Sequence, residues 1–251
     1  MKPKISIITV AFNAEKYIEN TIQSVLSQTY DNVEYIVIDG QSTDKTLDIC
    51  KRYKSKIDVL VSEPDAGLYD AMNKGIKAAT GDVIGILNAD DFYNADDVLS
   101  NVAEAFENQA IDCLYGDLVY VEADNTAKVT RKWTSGNYQV GAFLKGWMPP
   151  HPTFYIRKKY YNTFGTYSLD LKSSADYELM LRMMHKHNLK PYYLKKVMVR
   201  MRVGGVSNAS FKNRLRANSE DKLAWEMNQL KPGAFTLIRK PLSKVLQFFR
   251  K

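Results

Sequence analysis

The sequence predicts an α/β fold in which helices flank a central, mostly parallel sheet. Strand and helix patterns alternate through the first hundred residues. The run Ile5–Val10 is continuous, mainly apolar and β-branched, which is typical of a strand buried on both faces. Polar clusters follow the strands at their carboxyl ends. This order favours parallel strands joined by right-handed crossovers, with ligands collecting at the carboxyl ends.

The elements of the first half follow in order along the chain. Strands are predicted at Ile5–Val10, Val33–Ile38, Ile57–Ser62 and Val83–Leu87. Apolar residues at helical spacing predict helices at Glu15–Gln28, Asp44–Tyr53, Leu68–Ala79 and Asp96–Phe106. Ser42 or Thr43 is expected to cap the second of these helices.

The second half is predicted to mix strands, a long loop and helices. Residues 112–134 suggest a strand pair that turns near Ala123–Asn125, and a loop rich in Gly, Pro and Trp follows over Ser135–Pro152. Ser173 or Ser174 can cap a helix running from Asp176 towards His187. Lys195–Arg202 alternates as a strand does.

The composition is that of a globular protein with a real core. The chain has 251 residues, of which 45% are hydrophobic and 25% charged. One domain is expected over residues 1–210, in two halves at 1–110 and 111–210, followed by a basic helical extension at 211–251. Cys50 and Cys113 lie far apart and in no metal-ligand spacing, so both are expected to be reduced core residues.

Charge and hydropathy bear on location and partners. No apolar run approaches the roughly 20 residues of a membrane-spanning helix, and the first run is too short for a signal peptide, so a cytoplasmic protein is expected. Phe235–Lys251 has the pattern of a basic amphipathic helix, broken near Pro241. Such a helix can lie on the inner face of an anionic membrane or pack against a partner, and both alternatives stay open. Nucleic-acid binding is disfavoured because no recognised module interleaves the basic residues.

Two acids follow the fourth predicted strand, in the segment Asn88–Asp91. Neighbouring carboxylates at the end of a buried strand repel each other unless a cation or a donor neutralises them. Hard ions such as Mg²⁺ and Mn²⁺ take oxygen ligands and often bridge carboxylates to phosphates. The segment therefore indicates either a metal site or the start of a helix.

An acid also ends the second strand, at Asp39. A carboxylate in that position can accept hydrogen bonds from a nucleoside, as acids do in dinucleotide-binding folds. The alternative is an Asp-Gly turn that leads into a capped helix.

Four segments in this order resemble the family 2 glycosyltransferases, and in particular the bacterial enzymes of colanic-acid, O-antigen and capsule synthesis. They are Ile5–Asn13, Asp39–Asp44, Gly67–Gly75 and Leu87–Asp91, with Gly81-Asp82 between the last two. The strong resemblance covers about residues 4–98, and a weaker one extends to about 208. It implies a GT-A fold, a nucleotide-sugar donor, Mn²⁺ or Mg²⁺ as cofactor, and inversion at the anomeric carbon. The halves 1–110 and 111–210 then become the nucleotide-sugar side and the acceptor side.

The resemblance also assigns positions in the donor site. Thr9, Ala11 and Asp39 match positions that hold the nucleoside, and Asp65 lies near the expected nucleotide cleft. Asp90 and Asp91 match the segment that carries the metal-binding carboxylate. Asn88 stands where the commonest pattern has an acid. An amide can contact ribose or a phosphate-bound water but is a poorer metal ligand, so the metal is expected on Asp90 or Asp91.

Inversion in one displacement needs a base that removes the proton of the acceptor hydroxyl. The segment Ser173–Glu178 resembles the family segment bearing that acid, and we assign the base to Asp176. Acids in the first turn of a helix are also stabilising through its dipole alone. Glu178 is the rival for the role, on a different face of the helix.

Three further side chains are candidates for donor or acceptor contacts. His151 either contacts the diphosphate, the metal or the acceptor, or is structural. Trp147 either stacks on a sugar face or anchors its loop. Arg202, with Arg200 on the same strand face, either pairs with phosphate or cleft acids or forms a surface stripe.

The expected function is inverting, metal-dependent transfer of a hexose or N-acetylhexosamine, expected from a UDP donor. The expected acceptor is a hydroxyl of a glycan, expected to be lipid-linked, during bacterial surface polysaccharide synthesis. A nucleotidyltransferase is the first alternative, but such enzymes carry a Gly-rich basic loop where this chain has Ala11–Glu15. The second is a GT-A protein that binds nucleotide sugars without catalysis.

Overall fold

A computed structural model describes residues 2–204, 211–233 and 236 of the chain. Its first half contains four parallel strands in the order β3-β2-β1-β4. They are β1 (Ile5–Ala11), β2 (Val33–Asp39), β3 (Val59–Ser62) and β4 (Val83–Ile86). The connections contain α1 (Ile18–Leu26), α2 (Thr46–Arg52) and α3 (Leu68–Ala78), with a short 3₁₀ turn at Lys54–Lys56. The predicted order of these elements is confirmed.

Burial explains why the first half folds in this way. Every residue of β1 is buried, as expected for a strand covered by helices on both faces. Helix α3 packs closely on it because Gly75 has no side chain: a Cβ there would lie 2.3 Å from Cγ2 of Ile8. Helix α1 turns Ile18, Ile22 and Val25 into the core.

The second half continues the sheet in the order β4-β8-β6-β9-β5, with β7 paired to β6. Its strands are β5 (Phe92–Tyr93), β6 (Cys113–Val121), β7 (Val129–Trp133), β8 (Tyr155–Arg157) and β9 (Pro191–Arg202). Its helices are α4 (Val98–Glu107), α5 (Lys158–Phe164), α6 (Ala175–Met180) and α7 (Phe211–Met227). Short 3₁₀ turns lie at Ala142–Lys145 and His151–Thr153, and a π-helical turn at Leu181–Lys186 extends α6.

The sheet is mixed, but most of its strands run in the same direction. Strand β8 is antiparallel to both of its neighbours, β4 and β6. Strands β6 and β9 run parallel to each other, so β1 to β4, β6 and β9 share one direction. The α/β fold class, with a mixed, mostly parallel sheet flanked by helices, is therefore confirmed.

The two capping predictions have different outcomes. Neither Ser42 nor Thr43 caps α2, and the Ser42 hydroxyl donates to Asp39. Ser174 is the N-cap residue of α6, as predicted, but its hydroxyl donates to the carbonyl of Ala217 and makes no capping hydrogen bond. A capping side chain must accept a hydrogen bond from an N–H of the first helical turn, which neither hydroxyl does.

Helix α7 packs against α6. The indole N–H of Trp225 donates to the hydroxyl of Tyr177 at 2.9 Å, and Trp225 is fully buried. Cys50 and Cys113 are buried and free, as predicted. Among the residues described, no helix is long and apolar enough to cross a membrane. The amphipathic helix predicted at Phe235–Lys251 lies outside the described residues, Thr236 excepted.

Candidate active site

The loops that follow the first four strands meet at one edge of the sheet. Ala11 pairs with Asp39, and Asp39 pairs with Ser62, so β1, β2 and β3 end side by side. Strand β4 lies on the other side of β1 and ends in the same direction. We call this edge the strand-end rim, and it comprises residues 11–13, 39–42, 62–66 and 87–91.

Asp39 ties three loops of the rim together. Its carboxylate accepts hydrogen bonds from the backbone N–H of Ser42 at 3.1 Å and the hydroxyl of Ser62 at 2.6 Å. The Ser42 hydroxyl donates to it as well. The N–H of Gly40 donates to the carbonyl of Ala11 at 2.8 Å. Asp39 is thus fully buried, and its carboxylate sets the shape of the loop beside the end of β1.

The other residues assigned to the nucleoside occupy distinct places. Thr9 is fully buried, and its hydroxyl receives a hydrogen bond from Tyr35 at 3.2 Å. Ala11 presents its backbone to the rim. Asp65 packs closely against Gly40: a Cβ added to Gly40 would lie 2.3 Å from Oδ2 of Asp65. Asp65 and Ala11 therefore lie at the rim, whereas the side chain of Thr9 lies in the core behind it.

The acidic segment after β4 is a tight turn held by its backbone. The N–H of Asp91 donates to the carbonyl of Asn88 at 3.0 Å. The hydroxyl of Thr21, on α1, lies 2.8 Å from the carbonyl of Ala89 and 2.7 Å from that of Asp91. Arg202 donates to the carbonyl of Asp90 at 2.5 Å. All of these contacts are made to backbone carbonyl oxygens, and none of them is made to the carboxylates of Asp90 and Asp91.

Three oxygen atoms of this turn are buried without a hydrogen bond in the described part of the chain: both carboxylate oxygens of Asp91 and the amide oxygen of Asn88. Burial raises the pKa of Asp91 well above its usual value, and the charge of Asp90 adds to the shift. Burial also raises the pKa of Asp90. Buried oxygens of this kind are hard ligands that a cation would satisfy.

The donor set suits a divalent ion that keeps open positions. The described residues contain no group of three His, Cys, Asp or Glu side chains able to hold a metal. Mg²⁺ and Mn²⁺ sites often combine one or two carboxylates with water and phosphate oxygens. Asp90, Asp91 and Asn88 fit that type of site and do not form a closed cage.

Arg202 lies against the acidic turn, and both of its terminal guanidinium nitrogens donate hydrogen bonds. Its guanidinium is 4.7 Å from the ring centres of both Tyr17 and Phe92 and also donates to Asn20 at 2.8 Å. Arg200 donates to Asn94 at 2.9 Å. Arg202 therefore supports the turn by its hydrogen bond to the carbonyl of Asp90, and it places a positive charge near Asp90 and Asp91.

Asp176 lies at the start of α6. Its Oδ1 atom accepts a hydrogen bond at 3.2 Å from the hydroxyl of Tyr69, in the first turn of α3, the helix that follows the rim residues 62–66. The segment 151–154 precedes β8, and Gly85 pairs with Tyr155, so that segment runs along the carboxyl end of β4. The acids Asp39, Asp90 and Asp91 lie at the rim itself, and Asp176 contacts the start of the helix that leaves it.

His151 and Trp147 make contacts within the protein. The Nε2 atom of His151 lies 2.7 Å from the hydroxyl of Tyr167, and burial lowers the pKa of the imidazole. The indole N–H of Trp147 donates to the carbonyl of Ser135 at 2.9 Å, and its ring packs edge-on against Phe143. His151 is thus buried against Tyr167, and Trp147 is tied to the loop at Ser135.

Glu178, the rival to Asp176, is part of a buried ion pair. Its carboxylate accepts hydrogen bonds from Arg182 at 2.8 and 3.0 Å and from Asn228, in the turn that follows α7, at 2.9 Å. Only 4% of its side chain is exposed. Glu178 therefore joins α6 to the turn at the end of α7, whereas Asp176 is the acid of this helix that faces Tyr69.

We expect Glu178→Ala to destabilise the protein by about 3 kcal/mol, because it leaves Arg182 without its charged partner in a buried place. Urea unfolding measures the change. Glu226→Ala is the matched control, since Glu226 is exposed on α7 and pairs with Lys222 at 3.5 Å. It should change stability by less than about 0.5 kcal/mol. Equal effects of the two substitutions would contradict the structural role of Glu178.

Sequence reasoning missed several contributors to the site. Tyr69 belongs to the segment Gly67–Gly75 that carries the resemblance, so its place at a helix start could have marked it. Thr21 is a polar residue on the inner face of an amphipathic helix, which is a weak signal. The carbonyl contacts of Thr21 and Arg202 leave no mark in the sequence.

Acids at the carboxyl ends of parallel strands, among them Asp91 with two unpartnered oxygens in the described part of the chain, are typical of nucleotide-binding α/β proteins. Comparison with known proteins gives the particular family. The chain belongs to glycosyl transferase family 2, which it matches over residues 6–171. It is a glycosyltransferase that uses a nucleotide sugar. The matched residues contain the whole strand-end rim and end shortly before Asp176.

Similar proteins agree with this assignment. The PGL/p-HBAD biosynthesis glycosyltransferase of Mycobacterium tuberculosis (strain ATCC 25177 / H37Ra) is 29% identical over 211 residues, which are 82% of this chain and 80% of that protein. The fold is similar to that of S. aureus TarS in complex with UDP-GlcNAc, with a TM-score of 0.69, 20% identity, and coverage of 90% of this chain and 65% of that chain.

A second solved structure extends the comparison of folds. The mannosyltransferase PcManGT from Pyrobaculum calidifontis, in complex with GDP-Man and Mn²⁺, matches with a TM-score of 0.65 and 18% identity. The match covers 99% of this chain and 70% of that chain. The expectation of a GT-A fold is thereby confirmed.

Proposed function

We propose that this glycosyltransferase moves a hexose or N-acetylhexosamine from a UDP donor to a glycan hydroxyl, with inversion, in the synthesis of a bacterial envelope glycan on a lipid carrier. The order of its four motifs supports this proposal. So do the name of the mycobacterial relative, a PGL/p-HBAD biosynthesis glycosyltransferase, and the UDP-GlcNAc complex of TarS. PcManGT binds GDP-Man on a similar fold, which makes a GDP donor the natural comparison in any assay.

The observation that carries the proposal is the set of unpartnered oxygens on Asp91 and Asn88. We assign Mn²⁺ or Mg²⁺ to Asp91 and Asp90, with Asn88 beside them. When bound, the ion offsets the negative charge that develops on the leaving nucleoside diphosphate. Arg202 supports this turn from behind through the carbonyl of Asp90.

The nucleoside is assigned to the neighbouring part of the rim. Asp39 fixes the loop there, and Asp65 and the backbone of Ala11 present polar atoms beside it. Thr9 contributes from the core by fixing Tyr35. Trp147 and His151 hold the segments on the acceptor side of the sheet.

Asp176 is assigned as the base. Its carboxylate takes the proton from the acceptor hydroxyl while the oxygen attacks the anomeric carbon. The bond between that carbon and the diphosphate oxygen breaks in the same step, and the electron pair leaves with the diphosphate. A half-buried carboxylate at a helix start, open on one side, suits this role.

Calorimetric titration with UDP tests the donor and the metal together. We expect UDP to bind at least about tenfold more tightly with Mn²⁺ than with EDTA, because the ion joins the diphosphate to the acids of the turn. GDP is the control and should bind more weakly than UDP under both conditions. Equal UDP affinity with and without metal would contradict the metal assignment, and tighter binding of GDP would contradict the UDP donor.

A further inference from the structure

The hydroxyl of Tyr69 contacts the acid that we assign as the base. The distance from the Tyr69 hydroxyl to Oδ1 of Asp176 is 3.2 Å. The ring of Tyr69 is 8% exposed, while Asp176 is half-buried. One carboxylate oxygen is therefore held from the protein side, and the other is left for the acceptor.

We propose that Tyr69 is a positioning residue for Asp176: its phenol hydroxyl fixes the orientation of the carboxylate. The inference rests on the proposed function, in which Asp176 removes the proton of the acceptor. A base must lie within hydrogen-bond reach of that proton, so its orientation affects the rate directly.

The ring of Tyr69 is held on a rigid support. It stacks on the ring of Tyr167, with centroids 5.6 Å apart and planes at 20°. The hydroxyl of Tyr167 lies 2.7 Å from Nε2 of His151. The backbone N–H and carbonyl of Tyr167 each form a hydrogen bond of 2.9 Å with the side-chain amide of Asn73, on α3. Three elements thus fix the direction of the Tyr69 hydroxyl, as is required of a preorganised contact.

Tyr69 is the donor in its hydrogen bond to Asp176, because its phenol stays protonated. Burial raises the pKa of the Tyr69 phenol well above its usual value, and the charge of Asp176 contributes to the shift. Tyr69 therefore keeps its proton at any working pH and donates it to the carboxylate. A donor of this kind stabilises the charged form of an acid relative to the neutral form.

The Tyr69→Phe substitution tests the proposal, because it removes the hydroxyl and keeps the ring that stacks on Tyr167. The side-chain carboxyl carbons of aspartate are labelled with ¹³C, and the Asp176 signal is identified by its loss in Asp176→Asn. In Tyr69→Phe, that signal should change its chemical shift, because the carboxylate loses the hydrogen bond that the Tyr69 hydroxyl donates. This measurement needs no substrate.

Kinetics supply the second readout. With the UDP-sugar that is hydrolysed fastest in a panel containing UDP-GlcNAc, kcat of Tyr69→Phe should fall by about tenfold or more while KM for the donor stays unchanged. The split between kcat and KM is expected because the Tyr69 hydroxyl contacts Asp176 and none of the residues assigned to the donor.

Tyr177→Phe is the matched control, since Tyr177 adjoins Asp176 in sequence and is also buried, but its hydroxyl bonds to Trp225. It should leave the Asp176 signal in place. An unchanged signal in Tyr69→Phe, or equal changes in both variants, overturns the positioning role. Survival of turnover in Asp176→Asn instead overturns the proposed base, so the two failures are distinguishable.

Discussion

Replacing Asp176 with asparagine is expected to lower the rate of sugar transfer by about a hundred- to ten-thousandfold while UDP affinity stays within about twofold. The amide cannot take up the proton of the acceptor, and general-base catalysis contributes a factor of this size. The local structure should survive, because the amide oxygen can still accept the hydrogen bond that Tyr69 donates at 3.2 Å. Release of UDP from a panel of UDP-sugars measures the rate, and calorimetry measures the affinity.

Glu178→Gln is the matched control for this experiment, because it makes the same change of acid to amide two positions later on α6. Glu178 faces Arg182 and Asn228 rather than the rim. The control should lower Tm but leave the rate within a few fold. Turnover that survives in Asp176→Asn would exclude it as the base. A parallel loss of UDP affinity would place Asp176 in the donor site instead.

The first half of the fold was predictable because its strands are buried on both faces and its helices on one. Those two patterns have different periods, so β1 and α1 could be told apart in the sequence. Strand β8 was not predictable. It is three residues long, and its place between β4 and β6 depends on pairings with residues up to 74 positions away, as between Val83 and Arg157.

The candidate site was predictable in its acids but not in what holds them. Parallel strands bring their carboxyl ends to one edge, so Asp39 and Asp91 could be grouped from the order of elements alone. Their partners could not be found in this way. Arg202 contacts Asn20 across 182 positions and contacts the acidic turn through a carbonyl, which any residue type possesses.

The capping error at α2 has a local cause. A cap accepts a hydrogen bond from an N–H at the start of the helix. The Asp44 carboxylate accepts such a bond from the N–H of Thr46 at 2.9 Å, while the Ser42 hydroxyl donates to Asp39. The helix begins at Thr46. Sequence patterns identify candidate caps but do not rank the acceptors that compete for the same N–H.

Asp91→Asn is expected to make the metal-free protein more stable and to abolish the effect of Mn²⁺ on UDP binding. Asp91 is fully buried, and both of its carboxylate oxygens are without a hydrogen bond in the part of the chain that the structure describes. An amide of the same shape removes the buried charge, which should stabilise the protein by about 1–3 kcal/mol. Each kcal/mol raises Tm by roughly 2–4 °C in a domain of this size, as thermal unfolding in EDTA would show.

The stability of the metal-free protein should decrease with rising pH as Asp91 becomes ionised. The pKa of Asp91 in the folded protein is raised by burial, so the folded state holds this proton more tightly than the unfolded state. The contribution of Asp91 to stability is therefore full below its ordinary pKa of about 3.9 and is lost as the pH rises towards the raised value. The advantage of Asp91→Asn should grow over the same range.

Asp39→Asn is the contrasting control, because Asp39 is equally buried but its carboxylate accepts hydrogen bonds from both Ser42 and Ser62. An amide can replace only part of those acceptors, so this variant should lose about 1–3 kcal/mol. Opposite signs at two buried acids on one rim would separate an acid that shapes a loop from an acid that awaits a cation. If Asp91→Asn also destabilises the protein, or if Mn²⁺ still strengthens UDP binding in that variant, Asp91 does not hold the metal.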